Sequence, residues 1–299
     1  MNLQQTRTEP APDPSGVPDP QRASTILVPL DGSIQATMVL PVADGLARIL
    51  GATIHIVHVS PQSLPAGEIC AKLQLAARHL SGTVLDQCAG APAAAIVEEA
   101  KKRGSRFIVM CCHTAAERPD GGFGEIARDI LLQTPCPVLL VPSGWAQRLW
   151  SLRRLVVPHD GTPASAQAIG AASDLCHDAR AEMIILHVAT AAGAPPEDTG
   201  ALHAPHYVDQ PQHEWPAWAG EFLSRARAIG KPHCGVHLRT VLCTEPVGEA
   251  IVRFASDNQS DLIALAWRRH LERTRALTLR TVVQRAGCPV AIYPITADE

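Results

Sequence analysis

Short apolar runs bounded by polar turns recur along the chain from Thr25 onward. They are rich in Val, Ile and Leu, which is typical of strands buried on both faces of a sheet. Between them, apolar residues recur at helical spacing, as at Met38, Val42 and Leu46. Strands that alternate with helices predict an α/β fold, with an open parallel sheet and helices on both faces.

The first half of the chain contains five predicted strands. The first lies at the start of the stretch 26–33, and the others cover 53–59, 83–87, 107–110 and 137–142. Predicted helices lie at 38–51, 68–80, 93–103 and 125–133. A loop is predicted to begin at Cys111. Pro41 predicts that the first helix is displaced or kinked near its start.

The second half repeats this order. Asp160 follows Asp31 by 129 positions, and His187 follows His58 by the same interval. The last strand, 289–294, follows 137–142 by 152 positions, so the second half has 23 extra residues. Most of them form an insertion between Ala189 and Trp218. Further elements are predicted in sequence order: a helix at 218–229 and strands at 236–242 and 262–266.

This repetition predicts two similar domains, each with a five-stranded sheet. Their expected bounds are 25–143 and 153–296, with a linker at 144–152 and a disordered Pro-rich tail at 1–24. The fifth strand of each domain lies at a sheet edge, and an apolar edge strand needs a partner. We therefore expect the two domains to pair pseudo-symmetrically within the chain.

Composition narrows the class of protein. The net charge of −3 gives no general attraction to nucleic acid, and no apolar run reaches the ~20 residues of a membrane helix. Met1–Arg7 lacks the apolar core of a signal peptide. Nine cysteines, an odd number without a CxxC pair, favour reduced buried thiols. We expect a cytoplasmic protein that binds neither nucleic acid nor membrane.

Several short motifs carry a resemblance to a known family. They are Val28-Pro29-x-Asp31-Gly32-Ser33, Ile56-Val57-His58-Val59 and Thr134-Pro135-Cys136-Pro137-Val138, with Val157-Pro158-x-Asp160-Gly161-Thr162, Leu186-His187-Val188 and Gly287-Cys288-Pro289-Val290 in the second half. By the order and spacing of these motifs, the chain resembles the universal stress protein family in its tandem, Rossmann-like form. The resemblance covers roughly residues 25–294.

Many members of that family bind ATP, which implies a set of site residues here. Pro29, Asp31, Gly32 and Val57 match the base and ribose side, and Asp160 repeats Asp31 in the second half. Asp31 has a second reading, in which its carboxylate fixes the turn and caps the following helix.

The family's phosphate loop is written G-x2-G-x9-G-[S/T], because glycines let backbone amides approach the phosphates. Cys111 and Thr114 stand at its first two glycine positions, Gly124 keeps the third, and Glu125 replaces the Ser/Thr.

The second phosphate loop departs further from the family. Ala266, Arg269, Ala276 and Leu277 stand at its four key positions, and the loop 270–275 is shorter. It is also basic. Arg268, Arg269, Arg273 and Arg275 either line a solvated helix or domain interface, or hold an anion through their guanidinium groups.

Other candidate sites have simpler readings. His58 and His187 are expected to be hydrogen-bonded core residues. The run Cys111-Cys112-His113 is expected to pack at a strand end, and His203, His206 and His213 give only a weak case for a metal.

The resulting hypothesis is a non-catalytic stress-response binding or regulatory module with degenerate ATP loops and no required cofactor. The alternatives are an ATP-binding member with weak ATPase activity, and an anion or partner sensor that uses the arginine cluster. A homodimer and an unidentified protein partner are also expected.

Overall fold

The computed structural model describes residues 24–112, 124–145, 149–159, 163–190, 236–243, 246–269 and 273–295, with helical backbone at Glu221, Ser224 and Ala228. In the first half, the elements are β1 (Thr25–Pro29), α1 (Ile34–Thr37), α2 (Leu40–Leu50), β2 (Thr53–Val59), α3 (Ala66–Lys72), α4 (Ala77–Leu80), β3 (Thr83–Cys88), α5 (Pro92–Arg103), β4 (Phe107–Cys112), α6 (Glu125–Gln133) and β5 (Val138–Pro142). The tail 1–23 and most of the insertion lie outside the described residues.

The second half has the same alternation of strands and helices. Its described elements are β6 (Arg154–Pro158), α7 (Pro163–Ala179), β7 (Glu182–Thr190), β8 (Val236–Cys243), α8 (Val247–Asp257), β9 (Leu262–Trp267), α9 (Arg273–Arg285) and β10 (Val290–Pro294). The sequence pattern did not single out α8. Most of the helix predicted at 218–229 lies outside the described residues.

All ten described strands form one sheet, in the order β3-β2-β1-β4-β5-β10-β9-β6-β7-β8. Each set of five is parallel, which confirms the α/β fold class. The two sets meet at β5 and β10, which run antiparallel with Val290 opposite Leu140 and Ile292 opposite Val138. The apolar edge strand of each half is therefore covered by the other, and the core is continuous across the junction.

Three sequence-based bounds are wrong. The helix predicted at 68–80 is two short helices, α3 and α4, separated by Gln74 at a φ of 54°. Strand β4 continues through Cys111 and Cys112, where a loop was predicted, because these residues pair with Val141 and Pro142 of β5. The predicted loop 270–275 is also interrupted, since α9 already begins at Arg273.

The break near Pro41 is as predicted. α1 ends at Thr37, and α2 begins at Leu40 with the proline in its first turn. A proline there loses no helical hydrogen bond, because the first backbone amides of a helix have no partner inside it.

A buried histidine on β2 makes stability depend on pH. Burial lowers the pKa of His55 below 6.5, Arg103 lowers it further, and Asp86 opposes both. The His55 Nδ1 atom lies 3.6 Å from Asp86 Oδ2, beyond hydrogen-bonding distance. Because the folded state binds the proton less well than the unfolded state does, stability should fall as pH drops below 6.5 toward the lowered pKa of His55.

The His55→Gln variant should lose part of that pH dependence. Urea unfolding at several pH values between neutral and mildly acidic would measure it, with His177→Gln, at an exposed position on α7, as the control. Equal slopes for the wild type and His55→Gln would contradict the assignment.

Candidate functional site

The crevice of the first half lies at the carboxyl ends of β1 and β4. The strand order places β1 between β2 and β4, so the chain leaves β1 in one direction and returns to its other side. Such a reversal point is where ligands bind in open α/β sheets. The described parts of this crevice are the turn after β1, the end of β2 and the start of α6.

The turn after β1 is held by its own side chains. Asp31 Oδ1 accepts a hydrogen bond from the Ser33 amide at 2.8 Å, and Ser33 Oγ accepts one from the Ala36 amide at 3.1 Å. Ser33 is thus the N-cap of α1. Asp31 remains exposed while it fixes the turn, as foreseen for its carboxylate, but the helix cap also foreseen for it is supplied by Ser33 instead.

Gly32 is required by a close contact as well as by its backbone. Its φ is +96°, and a Cβ atom there would lie 3.1 Å from the Lys72 carbonyl oxygen and 3.7 Å from Lys72 Cγ. The end of α3 therefore crosses directly over the turn. Sequence reasoning missed Lys72, because a contact across forty positions leaves no local pattern in the sequence.

Beneath the turn, a histidine ties β2 to β1. His58 Nδ1 donates a hydrogen bond to the Leu30 carbonyl at 2.9 Å, and the Leu30 amide donates to the Val57 carbonyl at 2.9 Å. The second half repeats this bond between His187 Nδ1 and the His159 carbonyl at 3.0 Å. Both histidines are buried, which confirms them as hydrogen-bonded core residues.

The remaining base-side residues differ in exposure. The Val57 side chain is fully buried, so its carbonyl and not its side chain serves the turn. Pro29 ends β1 and is partly exposed. Asp160 lies outside the described residues.

The phosphate side of the first half retains one element of the family pattern. Gly124 is the N-cap of α6, with φ 84° and ψ 143°, a conformation open almost only to glycine. Glu125 follows as the first residue of α6 and is exposed. Cys111 is not a loop residue, because it pairs with Val141 inside the sheet. Thr114 lies outside the described residues.

In the second half, a helix begins earlier than the family's loop pattern predicts. Glu125 and Leu277 both stand twelve positions before the proline of the next strand, yet α9 begins four residues before Leu277. Relative to the start of α6 in the first half, the start of α9 is thus displaced by about 6 Å along the helix axis. Ala276 and Leu277 lie inside α9, and Ala266 lies inside β9, so none of the three is a loop residue.

The arginines of the second half lie in different settings. Arg269 Nη2 donates to the Thr134 carbonyl in the first half at 2.7 Å, which is a contact between the two halves. Arg268 is partly buried. Arg273 and Arg275 lie in the first turn of α9, and not in a loop as predicted. The side chains of Arg273 and Arg275 lie outside the described residues, so of the four only Arg269 has a described contact with the first half.

Metal binding was weighed at several histidines and cysteines. Within the described ranges, no three His, Cys, Asp or Glu side chains are arranged to hold a metal ion. His113, His203, His206 and His213 lie outside those ranges. Nor does any described helix have the length and apolar content needed to span a membrane.

Three comparisons with known proteins bear on this architecture. A structure of a universal stress protein from Archaeoglobus fulgidus DSM 4304 has a TM-score of 0.62 at 17% identity, and the match covers 91% of this chain and 99% of that chain. A protein of Pseudomonas aeruginosa PAO1, described as functionally unknown, has a TM-score of 0.60 at 14% identity, over 91% and 93% of the two chains.

A universal stress protein in complex with cAMP matches 48% of this chain and 97% of its own, at 21% identity and a TM-score of 0.34. A comparison with curated proteins found no match. The model of the universal stress protein family matches residues 151–294. The second half of the chain is therefore a universal stress protein domain, and the described chain as a whole has the α/β fold of universal stress proteins.

Proposed function

We propose that the chain is a non-catalytic, cytoplasmic universal stress protein that acts as a stress-response binding or regulatory module with degenerate ATP loops. The observation that carries this proposal is Glu125, an exposed carboxylate at the first residue of α6. In a family-type site, the same helix end would face the phosphates of a nucleotide.

The electrostatic argument follows from the helix end. The N-terminus of a helix carries partial positive charge and attracts anions, and Glu125 already supplies one there. A phosphate brought to ~4 Å from this carboxylate would be repelled by about 1–4 kcal/mol, depending on local screening. That repulsion offsets much of what the helix end could contribute to nucleotide binding.

The second half supports the same conclusion by a different route. α9 extends into the position of the phosphate loop, and Arg269 contacts the other half. Helical backbone thus stands at part of the family's phosphate-loop positions, and the glycines of that loop are absent from the sequence. The function is therefore proposed as binding of a partner protein, a second copy or a small ligand other than ATP.

Replacing Glu125 with serine should create or strengthen ATP binding. The change removes the like charge and restores the family's Ser/Thr, so we expect affinity for ATP to rise at least tenfold, about 1.4 kcal/mol. Thermal unfolding with increasing ATP would measure the gain. Glu98→Ser, on the exposed face of α5, is the matched control and should leave the response to ATP unchanged.

The wild-type protein provides the decisive comparison. Mass spectrometry of the small molecules released on denaturation should find no stoichiometric ATP. If wild-type protein co-purifies with ATP and is stabilised by it as strongly as Glu125→Ser, the proposed degenerate site is wrong.

A second candidate is an ATP-binding protein with weak ATPase activity, centred on the first half. It is favoured by Gly124, which keeps the backbone conformation suited to a phosphate-loop glycine, and by the intact Asp31–Ser33 turn. Slow release of inorganic phosphate from ATP by the wild type, absent in Gly124→Val, would favour this candidate over the non-catalytic one.

A further inference from the structure

We propose that Arg269 is a positioning residue through which the second half of the chain sets the geometry of the candidate site in the first half. Counted from the fourth strand of its half, Arg269 stands at a family phosphate-loop glycine position. Its guanidinium instead donates to the Thr134 carbonyl across the junction at 2.7 Å. In the family pattern this position contacts a ligand. In this chain it connects the two halves.

The acceptor is well placed for a cation. Thr134 is the C-cap of α6, where backbone carbonyls lack helical partners and carry partial negative charge. Thr134 is itself held firmly: it is 1% exposed, and its Oγ1 donates to the Cys136 carbonyl at 2.8 Å. The Arg269 contact therefore acts on a rigid point at the end of α6.

The opposite end of the same helix carries Gly124 and Glu125. α6 has nine residues, so its ends are about 13 Å apart and move together as long as the helix remains intact. A contact that fixes the C-terminus of α6 thereby restrains where its N-terminus lies relative to β1. This is the step by which Arg269 reaches the candidate site without touching it.

A second contact across the junction is much weaker. Cys112, at the end of β4, lies with its Sγ atom 3.9 Å from the Val283 carbonyl near the end of α9. A thiol is a poor donor, whereas a guanidinium is charged. The Arg269 contact is therefore the stronger of the two, and it restrains the C-terminus of α6 and the end of β9 relative to each other.

The backbone of Arg269 allows a clean substitution. Its φ is +59°, a left-handed conformation that asparagine tolerates better than most residues. Arg269→Asn keeps the turn and removes the long donor, while Arg269→Lys keeps a cation near the Thr134 carbonyl. Arg285→Gln is the control, because Arg285 pairs with Glu249 inside the second half.

Hydrogen exchange on the full chain tests the proposal. Two amides report on α6: that of Thr134, which donates to the Ile130 carbonyl, and that of Arg128, which donates to the Gly124 carbonyl. In Arg269→Asn, both should exchange roughly tenfold faster, as expected for the loss of a charged hydrogen bond. The Ile263 amide in β9 should not change, and Arg269→Lys should recover most of the protection.

A local cap would behave differently from a positioning residue. If exchange rises only at Thr134 and not at Arg128, the contact merely caps the helix and the proposal is overturned. Equal acceleration at Ile263, or in Arg285→Gln, would likewise overturn it. The proposal depends on the proposed function only in where it locates the ligand site. The hydrogen-exchange experiment contains no ligand. An ATP-binding wild type would therefore refute the proposed function and leave this result standing.

Discussion

Replacing Gly45 with alanine should lower the free energy of unfolding by about 2–3 kcal/mol, a typical cost of overpacking a closely packed site. Gly45 lies in the middle of α2, where the connection between the two halves crosses the helix. A Cβ atom would lie 2.5 Å from the Trp150 carbonyl oxygen and 2.7 Å from its ring atom Cε3. Both distances are shorter than real contacts allow, so either α2 or the Trp150 segment must move.

Little room exists for that movement. Trp150 is 3% exposed, and its indole Nε1 donates to the Asp261 carbonyl at 3.1 Å. Shifting the ring would therefore break a long-range hydrogen bond as well as its packing. Urea unfolding of Gly45→Ala and wild type would measure the loss.

Gly67→Ala is the matched control for this change. Gly67 also lies in a helix, α3, but nothing approaches within 4 Å of its added Cβ atom. Alanine there should be neutral or stabilising by up to about 1 kcal/mol, from helix propensity alone. If the two variants proved equally stable, the close contact at Gly45 would be refuted.

Replacing Asp261 with alanine should cost about 3 kcal/mol of stability, because a carboxylate that accepts two backbone hydrogen bonds is lost. Asp261 Oδ2 accepts from the amides of Arg153 and Arg154, each at 2.9 Å. The Asp261 amide in turn donates to the Arg154 carbonyl at 2.9 Å. The residue thus joins the starts of β6 and β9 and orients the chain as it enters the second half.

A graded series separates charge from hydrogen bonding at this position. Asp261→Asn retains an oxygen that can accept from both amides, so its loss should be about 1 kcal/mol, well below that of Asp261→Ala. Asp257→Ala, at the exposed end of α8, should change stability by less than about 0.5 kcal/mol. An Asp261→Ala variant as stable as Asp257→Ala would contradict the assigned role.

Both variants affect the connection between the halves, and this bears on the function proposed. Trp150 contacts α2 on one side and Asp261 on the other, so the segment after β5 is fixed to both halves. Together with the pairing of β5 with β10, it holds the two halves in one orientation. A rigid arrangement of this kind is what the contact of Arg269 with α6 requires.

Alternation of apolar strands with helical stretches was enough to predict the α/β fold, since burial on both faces makes each strand a continuous apolar run. The repeat was also visible in the sequence, as an interval of 129 residues between matching positions. The structure confirms it, because the hydrogen bond between Leu30 and His58 recurs between His159 and His187. Gly124 was matched to the family's loop by resemblance alone, and the structure adds that its backbone conformation is one that glycine readily adopts.

Element ends and site contacts were decided by tertiary structure. β4 continues through Cys111 because β5 offers hydrogen-bonding partners there. Lys72 over Gly32, Trp150 against Gly45 and Arg269 on Thr134 join positions far apart in the chain. Such contacts depend on how helices and turns pack against each other. Neither hydrophobic periodicity nor motif spacing predicts that packing. The sequence by itself thus determined the architecture and its repeat, while the folded chain alone decided which residues surround the turn after β1.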